Sequence, residues 1–224
     1  MKPTRNFTEF FDHVKTLGFE PKTVIDVGVA TGTPALYRAF PEAYFILAEP
    51  ILDFEPHLKE ITTQYRGEYH LCALMSEPGT ATVFRSGVAE GSLEGSSMMH
   101  RLPERDQRLQ PTEVKTLDDV FAQKERESPV LLKTDCQGGD FEVVLGGTKT
   151  LRSCELVIME VSLHKFWGAH HPDPLEIIAF MDEQDFVLYD FLDGIFRPLD
   201  NALGQIDMVF VRRDGTFREN SKWG

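Results

Sequence analysis

The run Val24-Ile25-Asp26-Val27-Gly28-Val29-Ala30-Thr31-Gly32-Thr33, answered by Ile46-Leu47-Ala48-Glu49-Pro50, constrains the fold more than any other part of the chain. An apolar strand ends in a glycine-rich turn, the turn opens a helix at Pro34, and a second apolar strand ends in a carboxylate. Such a sequence builds the first half of a doubly wound α/β sheet, with a nucleoside crevice beyond the carboxyl ends of its strands. Gly28 and Gly32 allow close approach of backbone to a ligand. Glu49 follows Gly28 by about 20 residues, the separation at which a carboxylate reaches ribose hydroxyls.

The turn narrows the choice of nucleoside. A dinucleotide site uses G-x-G-x-x-G so that a pyrophosphate rests on helix amides, whereas this turn reads G-x-A-x-G and runs into Thr33-Pro34. The spacing favours S-adenosylmethionine. A nicotinamide-dependent oxidoreductase is the alternative, weakened by the missing third glycine and by the absence of a Tyr-x-x-x-Lys pair. A non-catalytic protein that binds S-adenosylmethionine is a further alternative.

Strand and helix signals alternate along the chain. Residues 24–27, 44–48, 69–74, 130–134, 156–161, 186–191 and 207–212 read as strands, several of them continuous apolar runs suited to burial on both faces of a parallel sheet. Helices are expected over 34–39, 55–64, 116–123, 140–151 and 174–183, two of them opening on proline. Glu77-Pro78-Gly79-Thr80 marks a turn, with an extra strand over 81–85. No repeat or linker divides the chain, so residues 1–224 are expected to form one domain. Residues 86–110, rich in Ser, Gly, Met and Arg, are the one long irregular segment and the expected substrate lid.

Composition removes several function classes. The formal charge of -13 disfavours sequence-independent phosphate binding, and no Lys/Arg cluster interleaves with aromatics, so nucleic acid is not expected as substrate. Cys72, Cys136 and Cys154 are odd in number and lack C-x-x-C spacing, which indicates neither a disulfide framework nor a zinc site and fits a reducing cytoplasm. No segment approaches the roughly 18 apolar residues of a membrane span, and the amino terminus lacks a signal-peptide core.

Seven segments carry a more specific resemblance. Asp26–Gly32, Glu49-Pro50, Gly95–Met99, Val114–Phe121, Leu131–Gly138, Glu142–Gly147 and Val157–Glu160 are similar, in order and spacing, to the landmarks of the FkbM-type S-adenosylmethionine-dependent methyltransferases. The resemblance implies a Rossmann-like seven-stranded sheet, mostly parallel with a reversed last strand, and methyl transfer to an oxygen of a small hydroxylated metabolite or glycan. The cofactor-binding set expected is Asp26, Gly28, Thr31, Gly32, Glu49, Pro50, Ala73, Leu74, Ser97 and Asp135. Two residues depart from the pattern: Ala30 stands where the family commonly has Asn, and Gln137 where it commonly has Glu.

Two residues are candidates for chemistry. Asp135 ends the strand that begins at Val130 and precedes the Gly138-Gly139 turn, which places it over the crevice, able to orient or deprotonate an acceptor hydroxyl. Its alternative role is to cap the helix that follows. His164, just past the next strand, is the best-placed neutral base. Lys133 interrupts an apolar run and needs a partner, expected to be Glu160 in the neighbouring strand. Phe166 and Trp167 wall an acceptor pocket or plug the sheet end, and His170-His171 with Asp173 match no metal spacing, so no metal is expected. Neither a membrane nor a nucleic-acid partner is expected, and homodimerisation is left open.

Overall fold

The computed structural model describes residues 4–85, 108–122, 126–220 and 222–223. Its main sheet has seven strands. In chain order they are β1 (Thr23–Val27), β2 (Tyr44–Ala48), β3 (Gly67–His70), β7 (Val130–Thr134), β8 (Cys154–Ser162), β9 (Phe186–Phe196) and β10 (Leu203–Arg212), with spatial order β3-β2-β1-β7-β8-β10-β9. The first five run parallel, and β10 runs antiparallel to both β8 and β9. This is the seven-stranded, mostly parallel sheet with a reversed last strand. A second sheet holds β4 (Ala73–Leu74), β5 (Gly79–Arg85) and β6 (Arg108–Lys115) in the order β4-β6-β5.

Alternation along the strands sends successive side chains into two apolar layers. On one face Ile25, Val27, Leu132, Val157 and Met159 pack on Val143 and Val144 of α5 (Asp140–Leu145) and on Ile177 and Met181 of α7 (Pro174–Glu183). On the other, Val24, Leu131, Leu156, Ile158 and Val209 meet α1 (Phe7–Thr16), α2 (Pro34–Ala39) and α3 (Glu55–Gln64) through Phe10, Phe11, Val14, Leu36, Tyr37, Leu58 and Ile61. Helix α1 was not among the helices expected. Its start is a capping box in which the Asn6 side chain accepts from Glu9 N–H and the Glu9 carboxylate from Asn6 N–H. Its stripe of Phe10, Phe11 and Val14 is fully buried.

Other expectations moved for local reasons. The strand expected over 69–74 breaks at Leu71-Cys72, where the chain leaves the main sheet for the second one. The helix expected over 140–151 divides into α5 and α6 (Thr148–Leu151). Both intervening glycines are crowded: a Cβ on Gly146 would lie 2.1 Å from the Met75 carbonyl oxygen, and one on Gly147 would lie 2.5 Å from Leu117 Cδ2. Helix α4 shortens to Leu117–Phe121, capped by the Thr116 hydroxyl, which accepts from Asp119 N–H. Of the expected lid, Arg108–Gln110 begins β6, and residues 86–107 lie outside the described residues.

Candidate active site

The strand ends define the crevice. At Gly28 the backbone turns with φ +76°, its N–H donates to the Ala48 carbonyl at 2.9 Å, and a Cβ there would lie 1.9 Å from the Asp135 carbonyl oxygen. Only glycine lets the ends of β1 and β7 meet this closely. Gly32 has φ +109°, with the Ile61 and Tyr37 side chains beneath it. Ala30 also adopts a left-handed conformation, φ +46°, which an asparagine tolerates better than an alanine. That is a backbone reason for asparagine at this position, and it is invisible without the turn's dihedral angles. Thr31 is exposed on the same turn.

Glu49 is buried, and its two oxygens hold the crevice together: Oε2 accepts from Ala30 N–H at 2.8 Å and Oε1 from Ile51 N–H at 2.9 Å. Burial drives its carboxyl up to about 7, against the pull of those two amides and with a further push from Asp26 and Asp135. Each oxygen keeps a second lone pair, so latching the turn and accepting from a ribose hydroxyl are compatible. Beside it the Pro50 carbonyl accepts from Gln110 Nε2 at 2.6 Å, which ties β6 to the crevice. Ile51, Phe54 and Val83, with Ala30 against them, form a small apolar wall over the turn. Ala73 and Leu74 are buried, Leu74 within the main core. Ser76 donates to Glu142 and is engaged there. Ser97 lies outside the described residues.

The other half of the crevice is a plane of charge. Asp26 pairs in register with Lys133, and one step toward the carboxyl ends Asp135 follows Thr134, which pairs with Met159, while Glu160 pairs with Asp207. Strand alternation places all five side chains on the face that carries α1 and α2. Lys133 is buried and lies 3.5 Å from Asp26 Oδ1 and 3.6 Å from Asp135 Oδ2. Burial works against its charge, but Asp26, Asp135 and Asp207 outweigh it and hold the ammonium above its ordinary value. The expected pairing with Glu160 is therefore corrected: among the described residues the partners of Lys133 are Asp26 and Asp135, because the in-register neighbour in β1 is nearer than a residue two positions further along β8. Tyr37 fixes the far end, donating to Asp26 Oδ2 at 2.6 Å. Sequence reading missed Tyr37, although a buried tyrosine on a helix beside a strand aspartate is a signal, since its hydroxyl must find an acceptor.

Asp135 is 39% exposed, the most open carboxylate of this group. Gln137 Nε2 donates to Asp135 Oδ1 at 3.2 Å and reaches Glu160 Oε2 at 3.5 Å, so the departure at this position supplies a bridge between two acids. The capping alternative for Asp135 does not hold: α5 starts after Gly139 with no side-chain cap, and it is Asp140 whose Oδ1 accepts from Cys136 N–H at 3.0 Å. Burial, then Asp135 and Asp140, raise Glu160 to about 10, and burial raises Asp207 to about 7 although Lys133 opposes it.

His164 follows β8 and is half-buried. Its Nδ1 is 3.4 Å from Arg197 Nη1, and because a guanidinium only donates, this contact leaves the ring proton on Nε2. Arg197 is itself held by Asp200. Phe166 stacks at a tilt on His164, with centroids 5.4 Å apart. Trp167 is buried, donates from Nε1 to Ser162 Oγ at 3.1 Å, and fills the place a Cβ on Gly138 would need. Asp173 pairs with Lys165 at 3.2 Å, and no group of His, Cys, Asp and Glu among the described residues is arranged to hold a metal.

Glycine turn, carboxylate and strand-end aspartate thus share one crevice at the topological switch point, and residues 26–188 match the methyltransferase FkbM domain. The chain belongs to the FkbM methyltransferase family. Similar solved structures share the fold at low identity. The bifunctional kinase-methyltransferase WbdD aligns with a TM-score of 0.52 and 16% identity over 92% of this chain and 38% of its own length. A presumed O-methyltransferase from Klebsiella pneumoniae aligns at 0.50 and 10% over 92% and 79%. No curated protein matches the chain in sequence. Membership makes this FkbM protein an S-adenosylmethionine-dependent methyltransferase, and its residues fit that donor: an open glycine turn, a latched carboxylate and an apolar wall stand together. No helix among the described residues is long and apolar enough to cross a membrane.

Proposed function

We propose that this FkbM methyltransferase carries the methyl group of S-adenosylmethionine to an oxygen of a small hydroxylated metabolite or sugar, with Asp135 facing the reacting methyl. The observation that carries this reading is the contact of Gly28 with the Asp135 backbone, which brings a half-open carboxylate to the inner edge of the cofactor turn. Bound S-adenosylmethionine supplies an activated methyl whose transfer needs alignment of acceptor oxygen, carbon and sulfur more than a strong base. Glu49 holds the turn and accepts from the ribose. Asp26, Gly28, Thr31 and Gly32 line the methionine side, while Pro50, Ala73 and Leu74 flank the adenine. Asp135, steered by Gln137, accepts the hydrogen bond of the acceptor hydroxyl and takes its proton as the new C–O bond forms and the methyl–sulfur bond breaks, leaving neutral S-adenosylhomocysteine. His164, protonated on Nε2, offers the acceptor a donor rather than a base.

A methylation screen over sugars, hydroxylated small metabolites and amines tests the reading. Turnover on hydroxyl acceptors is the expected result, and turnover confined to amines or to nucleic acid overturns the oxygen assignment. Calorimetry with S-adenosylhomocysteine and NAD tests the donor, with binding of the former and none of the latter expected.

A further inference from the structure

We propose that Lys133 is a positioning residue for methyl transfer: held by Asp26 on one side, its ammonium aims the Asp135 carboxylate at the methyl position. This inference rests on the placement of Asp135 given above. Its basis is the direction in which a buried charge turns.

An ammonium in a central strand is costly, and a well-packed apolar pair in place of Lys133 and Asp26 would serve stability as well or better. The same face of β7 carries Leu131, so the layer accepts an apolar residue readily. Lys133 therefore needs a reason beyond packing. Neutralising the buried Asp26 at 3.5 Å accounts for one contact of the ammonium but not for the second. Three further carboxylates, those of Asp135, Glu160 and Asp207, stand side by side across three adjacent strands, and the ammonium's second contact goes to the most open of them. Glu160 is left without a cation in contact among the described residues, and burial with the neighbouring Asp135 and Asp140 keeps it protonated to about pH 10.

The contacts continue on both sides of the ammonium. Tyr37 donates to Asp26 at 2.6 Å, Asp26 Oδ1 has no hydrogen-bond donor among the described residues and lies 3.5 Å from the ammonium, and the ammonium meets Asp135 Oδ2 at 3.6 Å. Gln137 takes the other oxygen of Asp135 at 3.2 Å. Asp135 thus has one oxygen set from below by Lys133 and the other from the side by Gln137, which fixes its plane at the edge of the cofactor turn. Tyr37 also lies against Gly32, so the chain Tyr37–Asp26–Lys133–Asp135 ties the turn that holds the donor to the carboxylate that faces the methyl.

The test needs no acceptor. Sinefungin carries an amine where S-adenosylmethionine carries its methyl, and S-adenosylhomocysteine carries nothing there. The ratio of their dissociation constants by calorimetry therefore reads a carboxylate aimed at that point. The unaltered protein is expected to prefer sinefungin by about tenfold, the scale of one charge-assisted hydrogen bond. D135N should abolish the preference. K133M alone leaves Asp26 as a buried orphan charge, so the informative protein is D26N/K133M measured against D26N. There the preference should also vanish although Asp135 is intact, and D26N/K133R should keep it within about threefold of D26N. A purely structural lysine would weaken both ligands together and leave the ratio alone, and a preserved ratio in D26N/K133M overturns the proposal. A preserved ratio in D135N instead overturns the placement of Asp135 and, with it, the role of Lys133. Loss in D135N with retention in D26N/K133M overturns the lysine's role alone.

Discussion

The two halves of the crevice solve the burial of charge in opposite ways. At the ends of β1 and β2 one carboxylate, Glu49, meets two backbone amides and is satisfied before any ligand arrives. Across β7, β8 and β10 three carboxylates, Asp135, Glu160 and Asp207, share one ammonium that reaches only Asp135 of the three, and the surplus shows most at Glu160, driven up to about 10. The first half is preformed, as suits a donor common to a whole family. The second holds unresolved charge that a ligand or a proton must balance, as suits the side proposed to meet the acceptor.

If that contrast is right, the halves should fail differently. The largest effect is expected on the charged side: Asp135→Asn should lower turnover by roughly 10²–10⁴ while S-adenosylhomocysteine affinity changes little, measured by steady-state kinetics and calorimetry on one preparation. Near-normal turnover would remove Asp135 from the chemistry. Next comes the preformed side at its tightest point. Gly28→Ala forces a Cβ onto the Asp135 carbonyl and an unfavourable φ, so a loss of about 3 kcal/mol, about 10 °C in Tm, should accompany loss of donor binding. An unchanged melting curve would show that the strand ends are free to part.

Glu49→Ala should weaken S-adenosylhomocysteine by about 1–3 kcal/mol, because it removes the proposed ribose acceptor and frees two amides. Equal affinity in this variant would limit Glu49 to the turn. The smallest effect is one of pH. Glu49, Asp207 and Glu160 all lie above their ordinary carboxyl values, so between pH 7 and 9 the folded protein holds protons that the unfolded chain has already lost. Stability of the ligand-free protein should fall as pH rises through that window, by about 1–3 kcal/mol or a few degrees in Tm. The half-buried His13, His70 and His171, lowered below 6.5, stay neutral there and do not oppose the trend. Thermal scans that stay flat or rise from pH 7 to 9 would refute the account of the charged half.

Much of this was legible in the chain. Continuous apolar runs located β1, β2 and β7, and proline marked the starts of α2 and α7, whereas the helix expected over 140–151 ran through Gly146-Gly147, where crowding against Met75 and Leu117 divides it. The amphipathic stripe of α1 passed unnoticed because charged and polar residues surround Phe10, Phe11 and Val14, and only its capping box and burial make it plain. Lys133 was recognisable as a residue in need of a partner. Its partner was not, because Glu160 and Asp26 are both acids in adjacent strands and only the register separates them.

The sequence by itself determined the order of the main-sheet strands, the glycine turn with its answering carboxylate, and membership of the FkbM family, since all of these reside in local periodicity and short-range spacing. Tertiary structure alone decided that Glu49 latches the turn, that Tyr37 secures Asp26, that Gln137 bridges two acids and that Lys133 turns to Asp135. Each of those is a contact between side chains or amides of different strands and helices, and its partner is set by sheet register and by which face a side chain occupies. A shift of one residue in pairing would send every one of these charges to the opposite face of the sheet.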